Sequence, residues 1–121
     1  MNIIPGFLLK KVYKKGSLRS TEDGVAFDIK NIIGPGIITG VNFIKINDDT
    51  YHSSMIKIIN SGESTHAKEI SANNPMLFKL NDEITCVIES CLALQEGLNN
   101  IIVELISQDV GKVSVALSDT L

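Results

Sequence analysis

Three apolar alternations follow one another through the last third of the chain. Ile84, Cys86 and Ile88 alternate with Thr85, Val87 and Glu89; Ile101, Val103 and Leu105 with Ile102, Glu104 and Ile106; Val113, Val115 and Leu117 with Ser114 and Ala116. A period of two sustained in this way predicts strands with one face turned to a core. Val25, Phe27 and Ile29 make a fourth such strand, ending at Asn31 and entered through the turn-forming stretch Ser20 to Gly24. The strand breaker Gly34-Pro35-Gly36 then separates it from a long strand, Ile37 to Asn47. The apolar phase of that strand changes from Val41 and Phe43 to Ile44 and Ile46, which predicts a bulge near Asn42 to Ile44.

Asn47-Asp48-Asp49-Thr50 is good turn chemistry, so Tyr51 to Asn60 is expected to return as one partner strand. Ser61 to Asn74 is polar and reads as loop, with at most a short strand around Ala67 to Ile70, and Gln108 to Gly111 closes the last hairpin. A leucine and a polar turn precede two of the strands, at Leu80 to Glu83 and at Leu94 to Gly97. That layout, with about seven to nine short strands and hardly any helical periodicity, predicts an all-β fold, an antiparallel β-sandwich of immunoglobulin-like kind over residues 1–121 as one domain. A small closed β-barrel is the alternative.

The start of the chain is different in character. Its first nineteen residues carry Lys10, Lys11, Lys14, Lys15 and Arg19 and no acid, a local charge of +5 within a chain whose formal charge is −3. The same stretch holds Ile3, Ile4, Phe7, Leu8, Leu9, Val12 and Tyr13. A short amphipathic helix beginning at Pro5 fits the pattern, Pro being tolerated at a first helical position. A strand from Val12 to Arg19 fits as well. Gly16 and Ser17 weaken a helix there, so residues 1–10 are read as an apolar and basic arm leading into a strand, which forms a hairpin with Val25 to Ile29.

Composition narrows the classes. A chain of 121 residues, 44% hydrophobic and 21% charged, is ordinary for one globular core. The net negative charge speaks against a nucleic-acid binder. No apolar run reaches membrane-spanning length and the start has no secretory-signal layout, so a cytoplasmic protein is expected, without membrane or nucleic-acid partners. Cys86 and Cys91 are five positions apart and are read as free thiols of a reducing compartment.

The residues able to carry chemistry are isolated. His52 sits beside Tyr51 in a strand and His66 precedes Lys68 and Glu69; neither has the paired His and acid spacing of a metal site. Glu22-Asp23 and Asp48-Asp49 read as solvated turns, Cys86 as a core thiol by parity, and Gly34, Gly36 and Gly40 as turn and bulge glycines rather than a phosphate cradle. No catalytic residue, metal or cofactor is expected. The distinctive candidate is an interaction surface of Phe7, Leu8, Leu9, Lys10, Lys11 and Tyr13, because apolar groups of that size seldom stay uncovered; the alternative is that the apolar half of the stretch folds onto the sandwich as plain core, with its lysines in solvent.

Five segments carry a family resemblance: Ile4 to Lys11, Gly16 to Arg19, Thr21 to Gly24, Thr39-Gly40 and Leu117 to Leu121. Through them the chain resembles a family of short prokaryotic proteins that bear the label hydroxymethylglutaryl-CoA reductase. An activity of that name implies a nicotinamide site and a catalytic acid, lysine and histidine set; no motif here matches either, and no catalytic residue is carried over. The expectation is therefore a non-catalytic protein that binds itself, as a dimer ahead of a trimer, or binds a larger protein. A ligand-binding or enzymatic β-barrel is the competing class.

Overall fold

A computed structural model describes residues 2–3, 12–91 and 94–121, the first two by their backbone. The strands are β1 (Asn2–Ile3), β2 (Arg19–Thr21), β3 (Gly24–Lys30), β4 (Gly36–Ile46), β5 (Asp49–His52), β6 (Ile56–Asn60), β7 (Glu63–His66), β8 (Met76–Phe78), β9 (Glu83–Glu89), β10 (Leu98–Ser107) and β11 (Gly111–Thr120). They form two sheets. One has the order β1-β11-β10-β4-β5, with β8 also paired to β4; the other has the order β2-β3-β9-β6-β7. All pairings are antiparallel except that of β1 with β11. The sheets do not close into a barrel, and the protein is a β-sandwich.

The alternations become the buried faces. Val25, Phe27 and Ile29 of β3 lie opposite Ile88, Cys86 and Ile84 of β9, while Ile101 and Val103 of β10 lie opposite Leu117 and Val115 of β11. Phe27, Ile44, Ile46, Ile56, Ile88 and Ile101 are fully buried and form the centre of one shared core. Their burial from both sheets supplies the main stabilisation, on the order of 2 kcal/mol for each such side chain removed from water. Glycine carries the tight places: Gly24 begins β3 at φ +152°, where an added Cβ would strike the Ile88 carbonyl oxygen.

The slip in apolar phase of β4 is a bulge. Glu104 pairs with Phe43 and Leu105 with Val41, leaving Asn42 unpaired. A second bulge lies at Thr39, since Ile106 pairs with Gly40 and Ser107 with Ile38.

Three expectations are corrected. Tyr51 to Asn60 is two strands: a 3-10 turn at Ser53–Met55 lifts the chain out of the first sheet after His52 and delivers β6 to the second. The supposed loop after Ser61 holds strand β7, because Glu63–His66 can hydrogen-bond to the otherwise open edge of β6, and Ala67–Glu69 is a 3-10 turn rather than strand. The strand expected from Val12 to Arg19 is only a bridge from Tyr13 to Ile29, then a turn at Lys15 and Gly16, then β2. The hairpin with β3 forms as expected through β2.

Candidate functional site

The outward face of the larger sheet is the surface that departs most from a solvated strand pattern. In β10, Ile102, Glu104 and Ile106 point away from the core, alternating with the inward Ile101, Val103 and Leu105. Beside them on β4 lie Phe43 and Ile37, and Ile37 is paired with the exposed Leu77 of β8. Gly40 makes room for Ile106: the Ile106 side chain lies 3.3 Å from where a Cβ on Gly40 would be. The result is an apolar stripe of Leu77, Ile37, Ile106, Phe43 and Ile102 crossing three strands. An antiparallel sheet with one face in water normally shows polar residues at such positions.

Within this stripe sits Glu104, 9% exposed. Asn42, free of ladder duty at the bulge, donates a 2.8 Å hydrogen bond from its side-chain amide to Glu104 Oε2. The bulge therefore aims an amide at the carboxylate in the stripe. Lys45 and Lys112 stand at its borders, opposite Ile102 and Ile106 respectively, so basic groups rim a stripe that is apolar around Glu104.

Of the six residues expected to form an interaction surface, Phe7, Leu8, Leu9, Lys10 and Lys11 lie outside the described residues. Tyr13 is within them and is 6% exposed. Its ring stands 6.3 Å from that of Phe27 and its hydroxyl donates to Asp119, so it is spent inside the chain's own core. The backbone before and after residues 4–11 is likewise engaged, Asn2–Ile3 on β11 and Val12 in the core.

The histidines do not meet. His52 is exposed at the end of β5, opposite Phe43, and flanks the stripe. His66 lies on the outer face of the smaller sheet, with Nε2 3.2 Å from Glu89 Oε1 and Nδ1 3.7 Å from Glu69 Oε1. This is a half-exposed ion-pair arrangement on an open sheet surface. Among the described residues no group of three or more His, Cys, Asp or Glu could hold a metal ion, and no helix is long and apolar enough to cross a membrane. Glu22-Asp23 and Asp48 occupy hairpin turns, with Asp49 opening β5.

A sequence model of the family described as "Hydroxymethylglutaryl-CoA reductase, N-terminal domain" matches residues 8–121. The chain belongs to this family. The match takes in every strand of the hydroxymethylglutaryl-CoA reductase N-terminal domain described above except β1. The resemblance carried by the short segments thus stands as family membership. No curated protein sequence matches the chain.

The stripe had a signal in the sequence. Ile101 to Ile106 is apolar at every position but Glu104, which is the pattern of a strand covered on both faces. Reading it as a one-faced alternation hides Ile102 and Ile106.

Proposed function

We propose that this domain is non-catalytic and works by binding, the outward face of the larger sheet pairing with the same face of a second copy of the chain. The observation that supports this is the stripe of Leu77, Ile37, Ile106, Phe43 and Ile102, apolar where solvent contact calls for polar side chains. A two-fold pairing sets the apolar side chains of the stripe against their copies, with Glu104 held by Asn42 among them, and leaves Lys45, Lys112 and His52 at a wet rim, the usual anatomy of an interface. A dimer is favoured over a trimer because a flat sheet face is self-complementary about a two-fold axis. Phe7, Leu8, Leu9, Lys10 and Lys11 are proposed as a second contact on the strength of their sequence alone. The family's description refers to a reductase; the acids near His66 lie on an open surface and give reductase chemistry no support here.

The test is molar mass by light scattering. The full chain should scatter at twice 13.2 kDa, and Ile102→Lys, which places a charge in the stripe without touching the core, should shift it to the monomer mass with its circular dichroism unchanged. A full chain that is monomeric at millimolar concentration, or an Ile102→Lys variant that remains dimeric, overturns the proposal.

A further inference from the structure

The space between the two sheets is not filled at one end. A cavity of about 350 Å³ lies there, lined chiefly by Ile38, Ile58, Met76, Phe78, Val103 and Val113. Its opening is edged by Ile33 and Val110, each 53% exposed, and by Gly34, Gly36 and Ser107. The strand that bounds it, β4, is bulged at Thr39 and Asn42, and bulges bend a strand out of the regular pleat. An added Cβ on Gly34 would meet no atom within 4 Å, so the rim is open at that point.

The polar groups in the wall are already occupied. Asn31 gives both amide hydrogens, to the Gly34 carbonyl at 2.7 Å and to the Phe78 carbonyl at 2.8 Å, while its oxygen accepts from the Ile33 and Gly34 amides. Cys86, deeper in the wall, carries a protonated thiol at neutral pH, its ionisation opposed first by burial and then by the nearby Asp28 carboxylate. Water in such a space would find none of the two to four polar partners it requires, whereas dry apolar cavities of about 150 Å³ take up benzene. By proportion, 350 Å³ suits a hydrocarbon of roughly a dozen carbons.

From this geometry we infer that the sandwich binds an uncharged aliphatic chain between its sheets, entering past Ile33 and Val110 with any polar end held at the rim by the Ser107 hydroxyl. The site is separate from the outward stripe, on the other side of the same strands. Ile102 and Ile106 face away from it, so filling the cavity does not require dimerisation.

The experiment uses the full chain, the uncharged fluorophore N-phenyl-1-naphthylamine and 1-decanol as competitor. The fluorophore should bind with saturation and be displaced by decanol. In methyl-resolved NMR of the unmodified protein, decanol should shift Ile38, Ile58 and Val103 while Ile102 and Ile106 stay in place. Val113→Phe, which fills the cavity, should weaken binding by about tenfold or more. No saturable binding, or shifts confined to Ile102 and Ile106, overturns the inference. If Val113→Phe does not fold, the methyl shifts of the unmodified protein decide.

Discussion

Tyr13 Oη donates a 2.6 Å hydrogen bond to Asp119 Oδ2 across 106 positions of the sequence. The bond ties the segment that precedes β2, bridged to β3 of one sheet, to the end of β11 in the other. Gly16 donates to the same carboxylate oxygen at 2.8 Å and Thr120 to the other oxygen at 2.8 Å, and the Leu18 backbone amide adds to them, so a 5% exposed acid is well supplied with donors. A buried carboxylate is tolerable only when so supplied. Removing the phenol oxygen with Tyr13→Phe should cost about 1.5–3 kcal/mol, the range for hydrogen bonds to charged groups. Chemical denaturation measures it. In a double-mutant cycle with Asp119→Asn the two losses should be strongly non-additive; additive losses would mean that the pair is not coupled.

The same pair sets the response to pH. Burial pushes the Asp119 carboxyl up, but the hydrogen bonds from Tyr13, Thr120 and Gly16 outweigh it and hold the group below the usual carboxylate range. Its contribution is therefore present above the unfolded value of about 3.9 and is lost as pH falls through the lower folded value. Burial first, and the Asp119 carboxylate second, push the Tyr13 phenol well above its ordinary value. Burial pushes the Cys86 thiol up to about 12. Both contribute stability that is present at neutral pH and is lost as pH rises beyond their unfolded values of about 10 and 8.5. Melting temperature should be flat from about pH 5 to 8 and fall on either side, and Tyr13→Phe should reduce the alkaline fall. A melt that rises with pH above 9 would contradict both assignments.

Gly24 gives a sharper backbone test. Its φ of +152° and the Ile88 carbonyl oxygen in the place of a Cβ leave no room for alanine, with the Ser90 nitrogen 3.0 Å away on the same side. Gly24→Ala should cost about 3 kcal/mol or more, since backbone of β9 has to move. Gly62 is the control: it also has positive φ, at +82°, but nothing lies within 4 Å, so Gly62→Ala should cost only about 1–2 kcal/mol. Equal losses would show that torsion, and not the contact with β9, governs Gly24.

What was legible in the sequence was local. Period two at Val25 to Ile29 and at Val113 to Leu117 fixes which side chains face the core, and the phase slip before Ile44 fixes a bulge, because both depend on neighbours in the chain. What was not legible depended on partners far away. Tyr51 to Asn60 reads as one strand since nothing in Ser53 to Met55 is a strong breaker; only the two sheets in place require the chain to change layers there. Glu63 to His66 has no apolar alternation, and becomes strand because β6 offers an unpaired edge. The outward stripe escapes the sequence for a related reason: Ile102 and Ile106 fit a strand equally well whichever face is wet, and only the register with Phe43 and Gly40 collects them into one surface. Tyr13 reads from the sequence as part of an apolar interaction stretch, and Asp119, whose carboxylate it meets in the core, is almost the whole chain away.

Cys86 lies at the meeting of the fold and the cavity. It is 3% exposed, opposite Phe27 on β3 and Ile58 on β6, and its thiol faces the space between the sheets. Cys91, 4% exposed, is also a free thiol. In the native protein a charged disulfide reagent such as dithiobis-nitrobenzoate should label neither within hours, because the reactive thiolate is suppressed at Cys86 and both sulfurs are shielded; in denaturant both should react at once. Cys86→Ala should cost roughly 1–2 kcal/mol, as a small apolar deletion. Cys86→Asp should cost several kcal/mol and abolish the cooperative melt, because it buries an unpaired charge between Phe27 and Ile58. Rapid native labelling of Cys86, or a Cys86→Asp variant as stable as Cys86→Ala, would mean that β9 presents its other face to the core.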